Sequence, residues 1–453
     1  MERKADVVSS SVSLIKTIIG AGMLSMPLAY STDGLIVGTL IILLAAATSG
    51  FGLFIQAYVS RYVPVGHATF FNVCSISYPS LNVLFDIAIA IQCFGCAISY
   101  LVLVGDLMPT IIPHLPFVTD EHLRTFFVAL TSVVLVPLLF LKNLDSLKYT
   151  SILGLFAIFY MVLLVIINYL LGVVPIEQRG EVELFPPNFS GVFSTFSIIV
   201  FAFTGHQNMF SIINEAKDNS LPSLTVLING AVIISSGIFI VFGLCGYLTF
   251  GDNVSGNVIL HYAPGLSTTF GRFCIVFMVL FSFPLMLHPA RISVNNVYHW
   301  FKHCNDKKSS LSSVTEETRL LNDEQILSET ESQLEVGLEL ALVQSKIPGH
   351  EACIVPLPQK RFVIITIGLL VAGYALALSL LSFALVLAVV GATGSTAISF
   401  ILPGLFGYKL IGAETSQPTH GQRLLQSLSF LLVIWGFAVM FVCLYVILVM
   451  DKY

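Results

Sequence analysis

Apolar segments of about twenty residues follow one another along most of the 453-residue chain, and they constrain its fold more than any other feature. About 20 apolar residues in helical conformation cross the roughly 30 Å hydrocarbon core of a bilayer. Because lipid offers no hydrogen-bond partner to exposed backbone groups, such segments are expected to be helices. The sequence therefore predicts an all-α, polytopic membrane protein.

Composition argues against the other broad classes of protein. Charged residues make up 10% of the chain and hydrophobic residues 56%, whereas a soluble domain carries about 25% charged residues. The net charge of -5 and the scattered basic residues give no basis for nucleic-acid binding. The chain has no HExxH motif, nucleophile elbow or GxxxxGK[ST] loop, so neither an enzyme nor a nucleotide-driven pump is predicted, and no cofactor or metal is expected.

Counting by length gives eleven segments that could span the bilayer. They cover approximately residues 10–31, 34–60, 81–113, 122–141, 146–173, 190–215, 222–250, 267–301, 361–383, 385–411 and 424–450. One polar stretch interrupts them, so we divide the single domain into helices one to eight (1–302), an acidic cytosolic loop expected to be disordered (303–360), and helices nine to eleven (361–453).

The distribution of Lys and Arg predicts the orientation, because these residues accumulate in cytosolic loops. With the N-terminus in the cytosol, that side collects Arg3, Lys4, Arg61, Lys142, Lys148, Lys217, Arg291, Lys302, Arg361, Lys409 and Arg423. The opposite side keeps Arg124, Arg179, Arg272 and Lys452. The glycosylation sequons at Asn188 and Asn253 fall on that opposite side as well. We therefore expect a cytosolic N-terminus and a luminal or external C-terminus.

The acidic loop contains a candidate sorting signal. Its sequence EETRLL runs from Glu316 to Leu320 and Leu321, which fits an acidic dileucine motif that a sorting adaptor would bind. Such signals direct cargo to vacuoles or lysosomes. A solvated, partly helical loop with no such role is an equal alternative for this short pattern.

Small and polar residues interrupt two spans at mid-membrane depth. Residues 20–27 of the first span contain two glycines and a proline, and residues 203–208 of the sixth contain Gly, His, Gln and Asn. Unwound backbone is tolerated at this depth only where it is buried or lines a cavity. The alternative is that Gly and Pro are simply common in membrane helices.

Two broken helices five spans apart would face each other in an inverted repeat of five plus five helices. The half-helix N-termini would attract a carboxylate, while unwound carbonyls would receive an ammonium or a cation. This polarity suits a zwitterionic amino acid. The residues expected to contact it are Gly20, Ala21, Gly22, Met23, Thr204, Gly205, His206 and Gln207. For His206, a purely structural role remains open.

Four separated stretches identify a resemblance. LIKTIIGAGMLSMPLAY, FAFTGHQNMF followed by INEAKD, FSFPLMLHPAR and GATGSTAISFILPGLF resemble the amino acid/auxin permease family, above all its fungal vacuolar members. The resemblance extends over all eleven segments. It implies the fold of the amino acid, polyamine and organocation superfamily, with spans one to five and six to ten as inverted repeats and the eleventh appended. It also implies a symporter that moves amino acids with protons, commonly out of the vacuole into the cytosol.

The resemblance further assigns roles to three residues. It places Tyr100 of the third span beside the substrate carboxylate. It also suggests that Lys16 takes the place of a sodium ion near Ser282 of the eighth span, because sodium-coupled relatives carry asparagine at this position. An ammonium in an apolar helix costs several kcal/mol. The alternative for Lys16 is a side chain that snorkels to the cytosolic interface.

These observations predict a secondary, proton-coupled and sodium-independent amino acid carrier in the vacuolar or a lysosome-like membrane. Its expected partners are the amino acid substrate, protons, the lipid bilayer and a sorting adaptor. A nutrient sensor that binds amino acids and signals through the 303–360 loop is the main alternative.

The topology can be tested by glycosylation mapping. We expect Asn188 and Asn253 to be glycosylated, because the charge asymmetry places both in a lumen or outside. A sequon engineered near Ser310 should stay unmodified. Modification at Ser310 without modification at the two native sites would invert the orientation.

Overall fold

The computed structural model describes residues 6–140, 148–318, 357–380, 382–414 and 417–450. Within these ranges the regular elements are helices, and no strand is present. The α-helices are α1 (Val7–Ile18), α2 (Met26–Asp33), α3 (Leu35–Val59), α4 (Phe70–Ser77), α5 (Asn82–Ile111), α6 (Leu123–Phe140), α7 (Lys148–Leu170), α8 (Phe189–Ala202), α9 (His206–Glu215), α10 (Leu221–Phe250), α11 (Leu266–Thr318), α12 (Gln359–Ser379), α13 (Phe383–Val390), α14 (Leu402–Leu410) and α15 (His420–Tyr445).

The all-helical, polytopic membrane character expected from the sequence is confirmed. In the described part of the chain, nine helices are long and apolar enough to cross a bilayer. The pair Val7–Ile18 and Ala21–Asp33, bent by 48°, makes a tenth if counted as one broken span. Gly154–Leu170 of α7 forms a shorter apolar helix. The count of eleven and the repeat relationship therefore stay predictions.

The boundaries differ from expectation at the polar segment. The backbone of α11 stays helical to Thr318, although we expected a disordered loop from residue 303. The reason is local, because no Gly or Pro occurs between Phe301 and Thr318 to end the helix. Glu316 of the sorting motif falls on this helical backbone, whereas Leu320 and Leu321 lie outside the described residues.

Two interrupted helical segments, Phe383–Leu410 and Phe189–Glu215, form the centre of the bundle, and we call them the central rods. In the most apolar window of Phe383–Leu410, 83% of the residues are buried, and in that of Phe189–Glu215, 72%. The first rod contains α13, two π-helical turns (Gly391–Ser395 and Ala397–Ile401) and α14. By contrast, 22% of the window in α12 is buried, which is typical of a helix that faces lipid on most sides.

Small residues allow the central helices to approach one another closely. A Cβ atom on Gly52 of α3 would collide with the carbonyl oxygen of Ser399 and lie 2.8 Å from Nε2 of His206. A Cβ on Gly391 would similarly collide with the Ser197 carbonyl. Such close backbone contacts are a common way to pack membrane helices, because lipid supplies no hydrophobic drive between them.

The loop between α7 and α8 ties one end of the bundle together. Glu183 O accepts a hydrogen bond from Leu35 N at 3.0 Å, and the Gly180 amide donates to Phe250 O at 2.9 Å. These contacts bring the exposed residues Asn188 and Asn253 to the same end. We call it the sequon end.

A matched glycine pair on α3 tests the central packing. Replacing Gly52 by Ala should destabilise the fold by about 1–3 kcal/mol, because the new methyl group overlaps the Ser399 carbonyl. Gly50→Ala should leave stability nearly unchanged, since its Cβ would meet only Val232 at 3.5 Å. The measurement is the apparent melting temperature in detergent. Equal melting temperatures for the two variants would contradict this packing.

Candidate functional site

The first break separates α1 from α2. The α-helix ends at Ile18, and Gly20 is extended, with φ -109° and ψ -153°. A 3-10 turn, Ala21–Ser25, then leads into α2, whose second residue is Pro27. Glycine has a low helix propensity and proline lacks an amide hydrogen, so this local sequence favours interruption.

The second break lies between α8 and α9. Helix α8 ends at Ala202, the backbone is non-helical over 203–205, and α9 begins at His206. The hydroxyl of Thr204 donates to the carbonyl oxygen of Val200 at 2.7 Å. This bond satisfies an acceptor at the end of α8, where no further helical turn supplies an amide.

The two breaks contact each other. A Cβ on Gly22 would lie 2.9 Å from Cβ of Ala202, and a Cβ on Gly205 would lie 3.0 Å from Cγ1 of Ile18. The turn that follows the first break therefore touches the end of α8, while the end of α1 touches the start of α9. The contact gathers two helix C-termini, which carry partial negative charge, and two helix starts, which carry partial positive charge.

A cavity of about 100 Å³ opens at this crossing. Eight of the residues predicted from the sequence line this cavity. These are Lys16, Gly20, Ala21, Gly22, Tyr100, Thr204, Gln207 and Ser282. Residues of α1, α5, α8, α9 and α11, together with Ile158 of α7, thus meet around one space.

Three predicted contact residues lie outside the lining of this cavity. Met23 is 2% exposed and packs beside a smaller apolar pocket. Gly205 contacts Leu14 and Ile18 of α1. His206 is fully buried and its ring joins two other helices.

The imidazole of His206 joins the second break to α3 and to Ser399. Its Nε2 lies 3.1 Å from the carbonyl oxygen of Ser49 in α3, and its Nδ1 lies 2.9 Å from Oγ of Ser399. The backbone oxygen of His206 accepts from Nε2 of Gln56 at 3.4 Å. These contacts fit the structural role that the sequence left open, because both ring nitrogens already have partners inside the bundle.

The cavity also contains polar residues that the sequence did not assign as substrate contacts. Gln92 and Cys96 of α5 line the cavity, and Oε1 of Gln92 accepts from the Ser395 hydroxyl at 2.7 Å. Asn208 also lines it and donates to Oγ1 of Thr17 at 3.4 Å. The available signal was a polar amide within an apolar span, which also marks ordinary helix packing.

Gln207 lines the cavity, and its side chain has one polar atom without a partner. Its Nε2 donates to the carbonyl oxygen of Thr204 at 3.4 Å. Its Oε1 is buried and has no hydrogen-bond partner among the described residues. A buried acceptor without a donor costs free energy, so this position fits a ligand that supplies a hydrogen-bond donor.

The side chain of Lys16 extends from α1 toward α7. A Cβ on Gly154 of α7 would lie 3.4 Å from Cε of Lys16 and 3.5 Å from Cγ of Met278. Ser282, one turn beyond Met278, donates its hydroxyl to the Met278 carbonyl at 2.8 Å. The end of the lysine side chain therefore lies next to α7, on the side where Met278 of α11 also packs.

Comparison with known proteins is consistent with this geometry. A family model described as transmembrane amino acid transporter protein matches residues 3–449. Vacuolar amino acid transporter 7 of Saccharomyces cerevisiae is 39% identical, with 98% of each chain covered. Vacuolar amino acid transporter 5 of Schizosaccharomyces pombe is 36% identical over 97% of this chain and 94% of its own. The human sodium-coupled neutral amino acid transporter 7 is 27% identical over 63% of each chain.

The family match spans nearly all of the chain, and the resemblance noted from the four sequence stretches is confirmed. The chain belongs to the transmembrane amino acid transporter family, the amino acid/auxin permeases, and is a transporter rather than an enzyme.

Proposed function

We propose that this protein carries amino acids across the vacuolar membrane by alternating access, from the lumen to the cytosol, in symport with protons and without sodium. The observation that carries the proposal is the cavity at the crossing of the two broken helices. The names of the yeast relatives support the substrate class and the membrane. In this proposal, eleven helices cross the membrane, with a cytosolic N-terminus and a luminal C-terminus.

The backbone at the two breaks recognises the groups that all amino acids share. The amides of the Gly20–Met23 segment and the start of α9 attract the carboxylate. The carbonyls that end α1 and α8 accept hydrogen bonds from the ammonium, together with Oε1 of Gln207. Tyr100 and Thr204 offer hydroxyl groups at the rim of the same space.

Some predicted contact residues act by position rather than by touching the substrate. His206 anchors the second break to α3 and to Ser399, and Gly205 provides the close contact with α1. Met23 packs on the far side of the first break. These contacts hold the two breaks next to each other. An inverted repeat of spans one to five and six to ten places its two broken helices in this way.

Lys16 supplies the positive charge that a bound sodium ion gives to sodium-coupled carriers. Its side chain reaches α7, and both Lys16 and Ser282 line the cavity. A fixed ammonium in this space makes a metal ion unnecessary for neutralising nearby carbonyl dipoles. We therefore expect the carrier to use a pH gradient alone.

The test is flux in proteoliposomes that contain the purified protein. Radiolabelled amino acids, offered one at a time, should accumulate when a pH gradient is imposed, and a sodium gradient should add nothing. Uptake distinguishes a carrier from a sensor, which would bind amino acids without moving them. Steep activation by sodium, or no flux for any amino acid, would contradict the proposal.

The same assay tests Lys16. Lys16→Ala should reduce pH-driven flux to background, because the cation position next to the first break is lost. Lys16→Asn combined with Ser282→Thr should introduce weak sodium dependence. Lys217→Ala, which removes an exposed lysine, is the matched control and should behave as wild type. Normal flux in Lys16→Ala would favour the snorkelling alternative.

A second variant tests the contact between the breaks. Gly22→Val places side-chain atoms against Ala202 and Phe201, so it should move the two half-helices apart. A cost of about 1.4 kcal/mol in binding lowers affinity about tenfold, and we expect at least that loss in apparent affinity or flux.

The control for Gly22→Val is the same substitution at a glycine where no atom lies close to the position of a new Cβ. Nothing lies within 4 Å of a Cβ on Gly237 of α10, so Gly237→Val should transport normally. Both variants should reach the membrane in equal amounts. Wild-type flux in a well-expressed Gly22→Val protein would place the substrate elsewhere.

A further inference from the structure

A buried carboxyl group lies at the end of α2, away from the cavity. Asp33 is 0% exposed, although it is the last residue of its helix. Its Oδ1 accepts a hydrogen bond from Oγ1 of Thr195 in α8 at 2.6 Å. Its Oδ2 is buried and has no hydrogen-bond partner among the described residues. The group therefore joins the second half of one broken span to the first half of the other.

No cation on the helices that pack against α2 balances a negative charge at this site. The sequences of α3, α8 and α10 contain no Lys, Arg, His, Asp or Glu. The titratable group next to the site is the phenol of Tyr30, which stacks with that of Tyr247. The charged residues nearest in the covering segments are acidic, namely the exposed Glu183, whose amide donates to the Tyr247 hydroxyl, and the exposed Asp252 in the turn Gly251–Asn253. An ionised carboxyl with one unpaired buried oxygen and only neutral or acidic neighbours is costly.

The basic residue of the covering loop is engaged elsewhere. Nε of Arg179 donates to the carbonyl oxygen of Val174 at 2.9 Å, within its own loop. This contact leaves the carboxyl of Asp33 with a single polar partner, the hydroxyl of Thr195. The closed arrangement thus fits a neutral, protonated Asp33.

Thr195 can serve both protonation states of this carboxyl. When Asp33 is ionised, the threonine hydroxyl donates its one hydrogen to Oδ1. When Asp33 is protonated, the carboxyl donates to Oγ1, and the threonine hydrogen turns to the carbonyl of Gly191 or Val192, each at 3.1 Å. Heavy atoms need not move between the two hydrogen-bonding arrangements, so Thr195 can stay in place when the protonation state of Asp33 changes.

Water reaches Asp33 only if the sequon end opens. A Cβ on Gly34 would lie 2.6 Å from the backbone of Phe185 and 2.7 Å from that of Leu184, so the loop lies directly on the end of α2. A Cβ on Gly191 would lie 2.5 Å from Cγ2 of Thr32, which shows how tightly α8 closes the other side. Separation of α2 from α8 would hydrate the carboxyl and stabilise its ionised form.

We propose that Asp33 is a proton-binding site, and that its protonation is required for α2 and α8 to close at the sequon end. In the open arrangement, the hydrated carboxylate takes a proton from water in that compartment. The neutral group can then be buried against Thr195. This inference rests on the proposed function, where the sequon end faces the acidic vacuolar lumen, and it assigns a site for the proton that drives closure.

Asp33→Asn tests the inference through flux, because asparagine resembles the protonated form. The readout is exchange of labelled for unlabelled amino acid across the membrane, which needs no pH gradient. The wild type should exchange slowly at neutral luminal pH and faster as the lumen is acidified. Asp33→Asn should exchange at neutral luminal pH at close to the acid rate, with little further response. Asp120→Asn, at an exposed carboxylate between α5 and α6, is the matched control and should keep the wild-type profile. A wild-type pH profile in Asp33→Asn would overturn the proposal.

Thr195 gives an independent second variant. Thr195→Val removes the donor that stabilises the ionised form, so the pH profile of flux should shift upward by about one unit. Thr195→Ser restores a hydroxyl and should return the profile to that of the wild type. An unshifted profile in Thr195→Val would show that the carboxyl does not titrate during transport.

A stability measurement needs no transport. Because the closed protein holds a proton that the unfolded chain releases, the wild-type melting temperature should fall as pH rises from about 5 to 8. Asp33→Asn should show a smaller fall and melt above the wild type at the alkaline end. Identical pH dependence in both proteins would overturn the proposal. If this difference appears but the wild type moves no amino acid, the proposed function fails and the proton site remains.

Discussion

The architecture depends on one constraint, which is that a backbone group inside a membrane must find a partner within the protein. A helix meets this requirement everywhere except at its ends, so two helix interruptions at mid-span must be buried against something. Here they are buried against each other, with Gly22 on Ala202 and Gly205 on Ile18. The cavity and the set of residues that line it follow from this crossing.

The same packing accounts for the position of His206, which is fully buried and lies outside the lining of the cavity. Both ring nitrogens of His206 lie within hydrogen-bond distance of Ser49 and Ser399. These contacts fix the second break relative to α3 and to the π-helical turns between α13 and α14. Oε1 of Gln207, by contrast, is buried without a donor among the described residues. Fully satisfied polar groups specify structure, whereas each buried unsatisfied group needs a physical explanation of its own.

The two ends of the broken spans have different chemistry. Toward the end of α1, Lys16 and Asn208 surround the cavity with amide and ammonium groups. Toward the sequon end, α2 and α8 close over Asp33 and Thr195 with no balancing cation on the adjacent helices. The two ends are therefore held by different contacts.

The sequence by itself determined the helical, membrane-spanning class, the positions of both breaks and eight of the residues that meet at the cavity. The class and the breaks depend on local properties, namely apolar length and the placement of Gly and Pro. Lys16, Tyr100 and Ser282 among the eight residues came instead from the resemblance to the family. Only the tertiary structure decided which polar residues face the cavity, because the direction of a side chain depends on neighbouring helices far away in sequence. His206 turned away from the cavity while Gln92 turned toward it, and Asp33 at the end of α2 became buried between two halves of broken spans.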